Sequence, residues 1–310
     1  MPIVSVVIPT RNRPDLVLRS VGSALSQTLA DIEVVVVIDG PDNTTEAALA
    51  AVKDSRLKIV PLPESVGGSE ARNRGAQAGS GKWIALLDDD DEWMPTKLEK
   101  QVAKCESSKF RYPVIGTKLI GRTPKTDYIW PRVDPYSPIG DYLMRRKSLF
   151  VGDSVLQTST LLTSRELFVI CPFTRGLRKH QDWDWLIRVL EVPGAGLEFI
   201  PEILAIWYIE EKRSGIGALN DWRYSLNWAN TIRPLITPDA YSSFLLTFLA
   251  ASASTQRQWS AFMPLLSSSI QHGNPRPIQL GLFLGMWLIP IQFRQYLRRI
   301  FQGKPKTQTA

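Results

Sequence analysis

At 310 residues, 44% hydrophobic and 22% charged, the chain has the length of one large domain or two smaller ones and the balance of an ordinary folded soluble protein. Its two cysteines, Cys105 and Cys171, make no disulfide framework, and neither sits at metal-ligand spacing. The net charge of +7 does not argue for nucleic acid: of 37 bases, seven lie in residues 240–310, where there is no acid, which leaves 30 against 30 acids in residues 1–239.

The N-terminus has no basic segment followed by a long apolar core, so no signal peptide is expected, and a reducing cytosol fits best. Residues 4–8 form a β-branched run ended by Pro9 and read as a buried strand. Residues 15–26 follow with apolar side chains at helical spacing, and residues 33–38 (EVVVVI) form a second strand. Thr44 or Thr45 is the expected cap of a helix running to Lys53. A third strand over 57–60, a helix over 69–78 and a fourth strand over 83–87 complete the series. Apolar strands alternating with helices predict a parallel sheet covered on both faces, with ligands bound outside the carboxyl ends of its strands. PTRN, DGPDN and DDDD stand at those ends.

From 110 to 209 the alternation breaks down, and only a strand over 156–163 and a helix over 184–190 are suggested. This half is expected to shape a second substrate site. Residues 280–291 (LGLFLGMWLIPI) then run without a polar side chain into FRQYLRRIFQGKPK. Such a run falls well short of the ~18–20 residues needed to cross a bilayer. Two readings stay open: a segment at the surface of an anionic membrane, or a C-terminal helix packed on the domain with a solvated basic end.

The chemistry-bearing stretch is Asp88-Asp89-Asp90-Asp91-Glu92 at the end of the fourth strand. On an extended strand, Asp88 and Asp90 share one face and Asp89 and Asp91 the other. Converging hard oxygens suit Mg²⁺ or Mn²⁺, whose open positions phosphate oxygens can fill. A solvated acidic loop or an adventitious Ca²⁺ site is the plain alternative. Upstream, Gly67–Gly75 puts glycines before a helix carrying Arg72, a natural phosphate ligand unless it is an ordinary surface arginine. The stretch is neither a Walker loop nor a GxGxxG fingerprint, which removes the main support for an ATPase or a dehydrogenase.

From Ile3 to about Arg188 the chain resembles the inverting family 2 glycosyltransferases with the GT-A fold. SVVIPTRN (5–12) is similar to the family's opening strand and turn, and EVVVVIDG (33–40) to its second strand and acidic turn. Residues 67–75 with 83–93 resemble the approach to its DxD motif, and QTSTLLTSR (157–165) with QDWDW (181–185) its acceptor-side strand and Glu-Asp pair.

The resemblance implies a Rossmann-like, mostly parallel central sheet with helices on both faces, over residues 1–215. Residues 1–109 would be the nucleotide-sugar half and 110–215 the acceptor-side half. Beyond the reach of the resemblance, residues 216–310 are expected to be mainly helical with a basic, apolar membrane-surface tail. The resemblance also implies Thr10 and Asp39 at the nucleotide base, Arg72 at the nucleotide or its phosphates, Asp88 at the ribose or metal, Asp90 as main metal ligand and Asp182 as catalytic base. Pro9, Arg11 and Asp89 are further donor-side candidates, although the pleat argument leaves Asp89, Asp91 and Glu92 to loop structure or solvent. Trp183, Trp185 and His180 are acceptor-side candidates, since partial burial among them could raise the pKa of Asp182 and their rings could stack on a sugar. Trp183 and Trp185 as core residues, and Asp184 as a helix cap, are the plainer reading.

Three departures stand against the family pattern. Ile38 replaces the first acid of the second-strand turn, Gln181 replaces the Glu before the base, and no histidine follows in 207–217, where Lys212 or Arg213 could neutralise phosphate instead. The expected activity is metal-assisted transfer, with inversion, from a nucleotide-diphosphate sugar (a UDP-sugar above all) to a glycan or lipid-linked acceptor. Its expected setting is surface polysaccharide or glycolipid synthesis at the cytoplasmic membrane face, with no nucleic-acid partner. A nucleotidyltransferase and an inactive nucleotide-binding module are the alternatives.

Overall fold

The computed structural model describes residues 1–146, 154–209, 221–289 and 293–294. Strands β1 (Val4–Thr10), β2 (Ile32–Ile38), β3 (Leu57–Pro61) and β4 (Trp83–Leu86) lie in the order β3-β2-β1-β4 and pair in parallel. Helices α1 (Pro14–Leu25), α2 (Asn43–Ala50) and α3 (Gly68–Ala78) connect them. The pleat divides each strand between two faces. Val34, Val36 and Ile38 join Val17, Val21 and Ala24 of α1 and Leu49 of α2 in one core, while Val35 and Val37 meet Ala71 of α3 on the other side. The strand order reverses between β1 and β4, which opens a crevice at their carboxyl ends.

Local chemistry explains most boundaries. Pro14 occupies the first turn of α1, where a missing N–H costs nothing, and Val17, Ser20, Val21 and Ala24 follow at helical spacing on its buried face. Asp42, not Thr44 or Thr45, caps α2: its carboxylate accepts from the Thr45 amide at 3.0 Å, and the helix ends at Ala50 rather than at Lys53. Helix α3 is polar yet buried over most of its length. Ala71 and Gly75 bring it close to the sheet, and a Cβ on Gly75 would stand 2.3 Å from a Val7 methyl.

The second half of the sheet is mixed. β5 (Asp91–Trp93), β6 (Tyr112–Arg122), β7 (Asp127–Trp130), β8 (Leu162–Ser164) and β9 (Ala195–Tyr208) extend it through β4-β8-β6-β9-β5, with only β6 and β9 parallel. The suggested strand over 156–163 is a 3₁₀ turn, Thr158–Thr160, followed by the short β8. Helices α4 (Lys97–Glu106), α5 (Ile139–Met144), α6 (Arg165–Ile170) and α7 (Gln181–Val189) complete this half, and α7 starts three residues before the expected 184.

Residues 1–139 and 152–218 form one compact unit, and residues 140–151 and 219–310 a second. The second therefore takes in part of α5 as well as the C-terminal segment. Its described elements are helical: α8 (Trp222–Ile232), α9 (Pro238–Ser243), a π-helical turn (Phe244–Leu249), α10 (Ala250–Thr255), α11 (Phe262–His272) and α12 (Pro277–Leu288). Phe283 and Trp287 of α12 are buried against Phe262 and Trp259, with ring centroids 4.8 and 5.0 Å apart. Ile278, Leu284 and Leu288 of the same helix are exposed. Much of the basic tail, including Arg298 and Arg299, lies outside the described residues, as do Lys212 and Arg213.

Candidate active site

A cleft of about 1020 Å³ opens at the carboxyl ends of β1, β2 and β4. Pro9, Thr10 and Arg11 line it from the end of β1, Asp39 from the end of β2 and Arg72 from α3. Asp88, Asp89 and Asp90 reach it from beyond β4, and His180 and Asp182 from the start of α7. Five carboxylates and five Arg or Lys side chains line this cleft, so its walls are formally balanced before any ligand arrives.

The acids do not alternate as on a strand. β4 ends at Leu86, and Asp88–Asp91 form a turn closed by the Asp91 amide donating to the Asp88 carbonyl at 3.2 Å. Asp88 accepts from Arg72 Nη2 at 2.6 Å and from Gln157 Nε2 at 3.0 Å, and the same Gln157 nitrogen donates to Asp91 at 2.6 Å. Asp89 accepts from Thr10 Oγ1 at 2.8 Å and from Arg13 at 3.0 Å, while Arg13 also stands 3.4 Å from Asp90. The turn thus groups Asp88 with Asp91, and Asp89 with Asp90. Asp89 and Asp91, expected in loop structure or at solvent, belong to the turn and are buried. Burial, then the charges of Asp88 and Asp90, push Asp91 well above the usual carboxylate range. Crowding is offset by two guanidiniums and a glutamine amide, since buried charge persists only when paired and hydrogen-bonded. Among the described residues, no group of three or more His, Cys, Asp or Glu side chains stands ready to hold a metal ion.

Asp39 holds the loop before α3: its carboxylate accepts from the amides of Val66 and Gly67 at 2.6 and 3.1 Å and from Ser65 Oγ at 2.9 Å. Arg11 donates to the same Ser65 hydroxyl at 2.6 Å. Arg72 is 8% exposed, not an ordinary surface arginine, and its second contact is Gln181 Oε1 at 2.7 Å. Asp182, half-buried in the first turn of α7, accepts from the Trp183 amide at 2.9 Å. Burial is the main cause that lifts its carboxyl to about 6; the Asp88 charge adds to this, and Arg72 opposes it. His180 precedes the helix in a left-handed conformation (φ 64°), and burial lowers it to about 3, so it is neutral at physiological pH.

One acceptor-side candidate, Trp185, is corrected in favour of the plainer core reading, and the other part of that reading, Asp184 as a cap, is not met. Trp185 is fully buried, stacked on Phe173 and Phe168 with its indole N–H donating to the Cys171 carbonyl at 2.9 Å, so it belongs to the core. Asp184 makes no cap: it accepts from Thr174 Oγ1 at 2.6 Å and from Arg188 at 2.9 Å. Trp183 is half-buried, its ring 6.2 Å from that of His180.

The profile of the family described as Glycosyl transferase family 2 matches residues 5–169, just over half of the chain. The chain is a family 2 glycosyltransferase. The amylovoran biosynthesis glycosyltransferase AmsB of Erwinia amylovora is 27% identical over 240 residues, which cover 75% of this chain and 78% of AmsB. The glucosyltransferase WfaP of Escherichia coli, named as UDP-Glc:alpha-D-GlcNAc-diphosphoundecaprenol beta-1,3-glucosyltransferase, is 35% identical over 109 residues. That match spans 35% of this chain and 43% of WfaP. The structure of TarS 1–349 from S. aureus, in complex with UDP-GlcNAc, superposes with a TM-score of 0.59 at 16% identity, over 92% of this chain and 81% of that one, a likeness of fold.

Against that family background, the residues missed by sequence reasoning in this glycosyltransferase are Arg13, Gln157, Arg178 and Lys179. Arg13 was visible as the second arginine of PTRNRP, and Gln157 opened a segment already singled out. Arg178 and Lys179 line the cleft just before His180. Chemically, the cleft joins cationic side chains suited to a diphosphate with a carboxyl group able to take up a proton near neutral pH.

Proposed function

We propose that this glycosyltransferase moves a sugar from a UDP-sugar to a hydroxyl group of a lipid-linked or polysaccharide precursor, with inversion and with Asp182 as the base. The observation that carries the reading is that one cleft holds both the Asp88–Asp90 turn with its arginines and Asp182, whose carboxyl lies at about 6. A base at that value is ionised at neutral pH yet holds a proton well enough to draw it from an attacking hydroxyl. The departing diphosphate carries the developing charge. Arg72, with Arg13, Arg178 and Lys179 along the same cleft, supplies fixed positive charge to receive it. Thr10 and Asp39, at the ends of β1 and β2, bound the end assigned to the nucleotide base, Asp39 by ordering residues 65–67. The names of WfaP and AmsB support the UDP-sugar and the glycan-precursor acceptor.

The family resemblance brings Mg²⁺ or Mn²⁺ with it. Asp88 and Asp90 both turn hard oxygens to the cleft, although the turn gives them different partners. Mg²⁺ is commonly held by one or two carboxylates completed by substrate phosphates, so they would hold such an ion once Arg72, Gln157 and Arg13 release them. When bound there, the ion supplies charge neutralisation for the leaving diphosphate.

The setting we assign is the surface of an anionic membrane. No acid follows Asp239, seven bases do, and Trp259, Leu284 and Leu288 are exposed. Among the described residues, no helix is long and apolar enough to cross a membrane.

The deciding experiment supplies a UDP-sugar and an undecaprenyl-diphosphate-linked sugar acceptor and follows the release of free UDP. Asp182→Asn should lower turnover by about 10²–10⁴-fold while leaving UDP affinity within about two-fold of the parent. Turnover at the parent rate in that variant would remove Asp182 as the base.

A further inference from the structure

Gln181 stands where the family resemblance leads one to expect a glutamate, and its contacts show why an amide suits this chain. Its Oε1 accepts from Arg72 Nη1 at 2.7 Å, and its Nε2 donates to the Leu177 carbonyl at 2.7 Å. Only an amide meets both demands, because an ionised carboxylate offers no donor to a carbonyl. Gly68 leaves room for the pair: a Cβ there would stand 3.2 Å from both Arg72 Nη1 and Gln181 Oε1.

The charge consequence lies on Arg72. Its Nη2 pairs with Asp88 at 2.6 Å, its Nη1 meets the neutral Gln181, and its Nε is buried with no hydrogen-bond partner. Of its two hydrogen-bond partners only Asp88 is charged; the Phe173 ring lies 5.6 Å away, and Asp182 feels the guanidinium's charge without a hydrogen bond to it. We infer that Gln181 is a positioning residue that fixes Arg72 toward the donor's diphosphate without neutralising it, so that a negative charge at position 181 would weaken phosphate binding in particular. This deepens the UDP-sugar reading and rests on it. Placed next to Asp182 and close to the Arg72–Asp88 pair, an extra carboxylate would add to the negative charge facing the phosphates and compete for the same guanidinium.

The test uses UDP and uridine as probes, with affinities measured by titration calorimetry at pH 7.5 on the parent, Gln181→Glu and Gln181→Met. Gln181→Glu should weaken UDP by about ten-fold or more and leave uridine within about two-fold, because uridine carries no phosphate. Gln181→Met, neutral and of similar length, should weaken UDP by less than Gln181→Glu. Three results overturn the inference: UDP unchanged in Gln181→Glu, UDP and uridine weakened together, or Gln181→Met as damaging as Gln181→Glu. A parent chain that binds no UDP would instead remove the donor reading, and this inference along with it.

Discussion

A carboxyl group lifted to about 6 by burial changes stability as well as reactivity. The folded-state value of Asp182 lies above its unfolded value of 3.8, so the native state binds this proton more tightly. Its contribution is fully present below about pH 4 and is lost as pH rises through 6. Asp182→Asn cannot ionise, and at pH 7.5 it should be more stable than the parent by on the order of 1–3 kcal/mol. Urea denaturation at pH 7.5 and pH 4 checks this, with the two chains converging at the lower pH. That Asp182 and Asp88 would line the cleft was legible, Asp182 from an acid set among aromatic neighbours in QDWDW and Asp88 from its place after an apolar strand. Arg13 and Gln157 were not legible as partners of the acids. Their contacts bridge 76 and 66 residues of sequence, to Asp89 and Asp91, and only folding brings those ends together.

Helix α3 shows what a single element has to reconcile. Its glycine lies against the sheet and its arginine faces the cleft, so its distance from β1 and β2 also sets the height of Arg72. Gly75→Ala would put a methyl group 2.3 Å from Val7 and 3.1 Å from Val37. Overpacking of this kind typically costs 1–3 kcal/mol. A lower urea midpoint and weaker UDP binding should appear together in this variant, and an unchanged midpoint would mean that the helix can shift freely. Elements with uninterrupted periodicity, such as β2 and α1, could be read to within a residue. β6 could not, because Pro113, Gly116 and Gly121 break its strand pattern. Both glycines are there for packing: a Cβ would stand 3.0 Å from Leu156 at Gly116 and 2.4 Å from the Trp130 ring at Gly121.

For the whole molecule, the first four strands and their order of chemistry were readable, while the mixed half of the sheet and the recruitment of residues 140–151 to the helical unit depend on long-range pairing. Within the C-terminal apolar run, Phe283 and Trp287 fill the core of the helical unit, and Leu284 and Leu288 are exposed. Truncation before Pro277 would therefore strip that core and say nothing clear about membranes. The double substitution Leu284→Glu with Leu288→Glu touches only exposed positions. If the proposed membrane setting holds, the parent should float with phosphatidylglycerol vesicles and the double variant should not, with UDP affinity kept. A parent that does not float would remove the membrane setting, and a variant that still floats would remove Leu284 and Leu288 from it.

The acid turn is tethered at both ends. Before it, the amides of Leu86 and Leu87 donate to Leu161 and Val7, and after it β5 pairs Asp91–Trp93 with Ala205–Trp207. A segment fixed in this way loses its conformational freedom when the chain folds rather than when the donor arrives. The backbone amides of 86–93 should accordingly exchange with solvent slowly in the ligand-free chain, and the addition of UDP should slow them little further. Recognition at this end of the cleft would then be a matter of exchanging counter-ions on a finished scaffold, with Arg13 and Arg72 passing from carboxylates to phosphates.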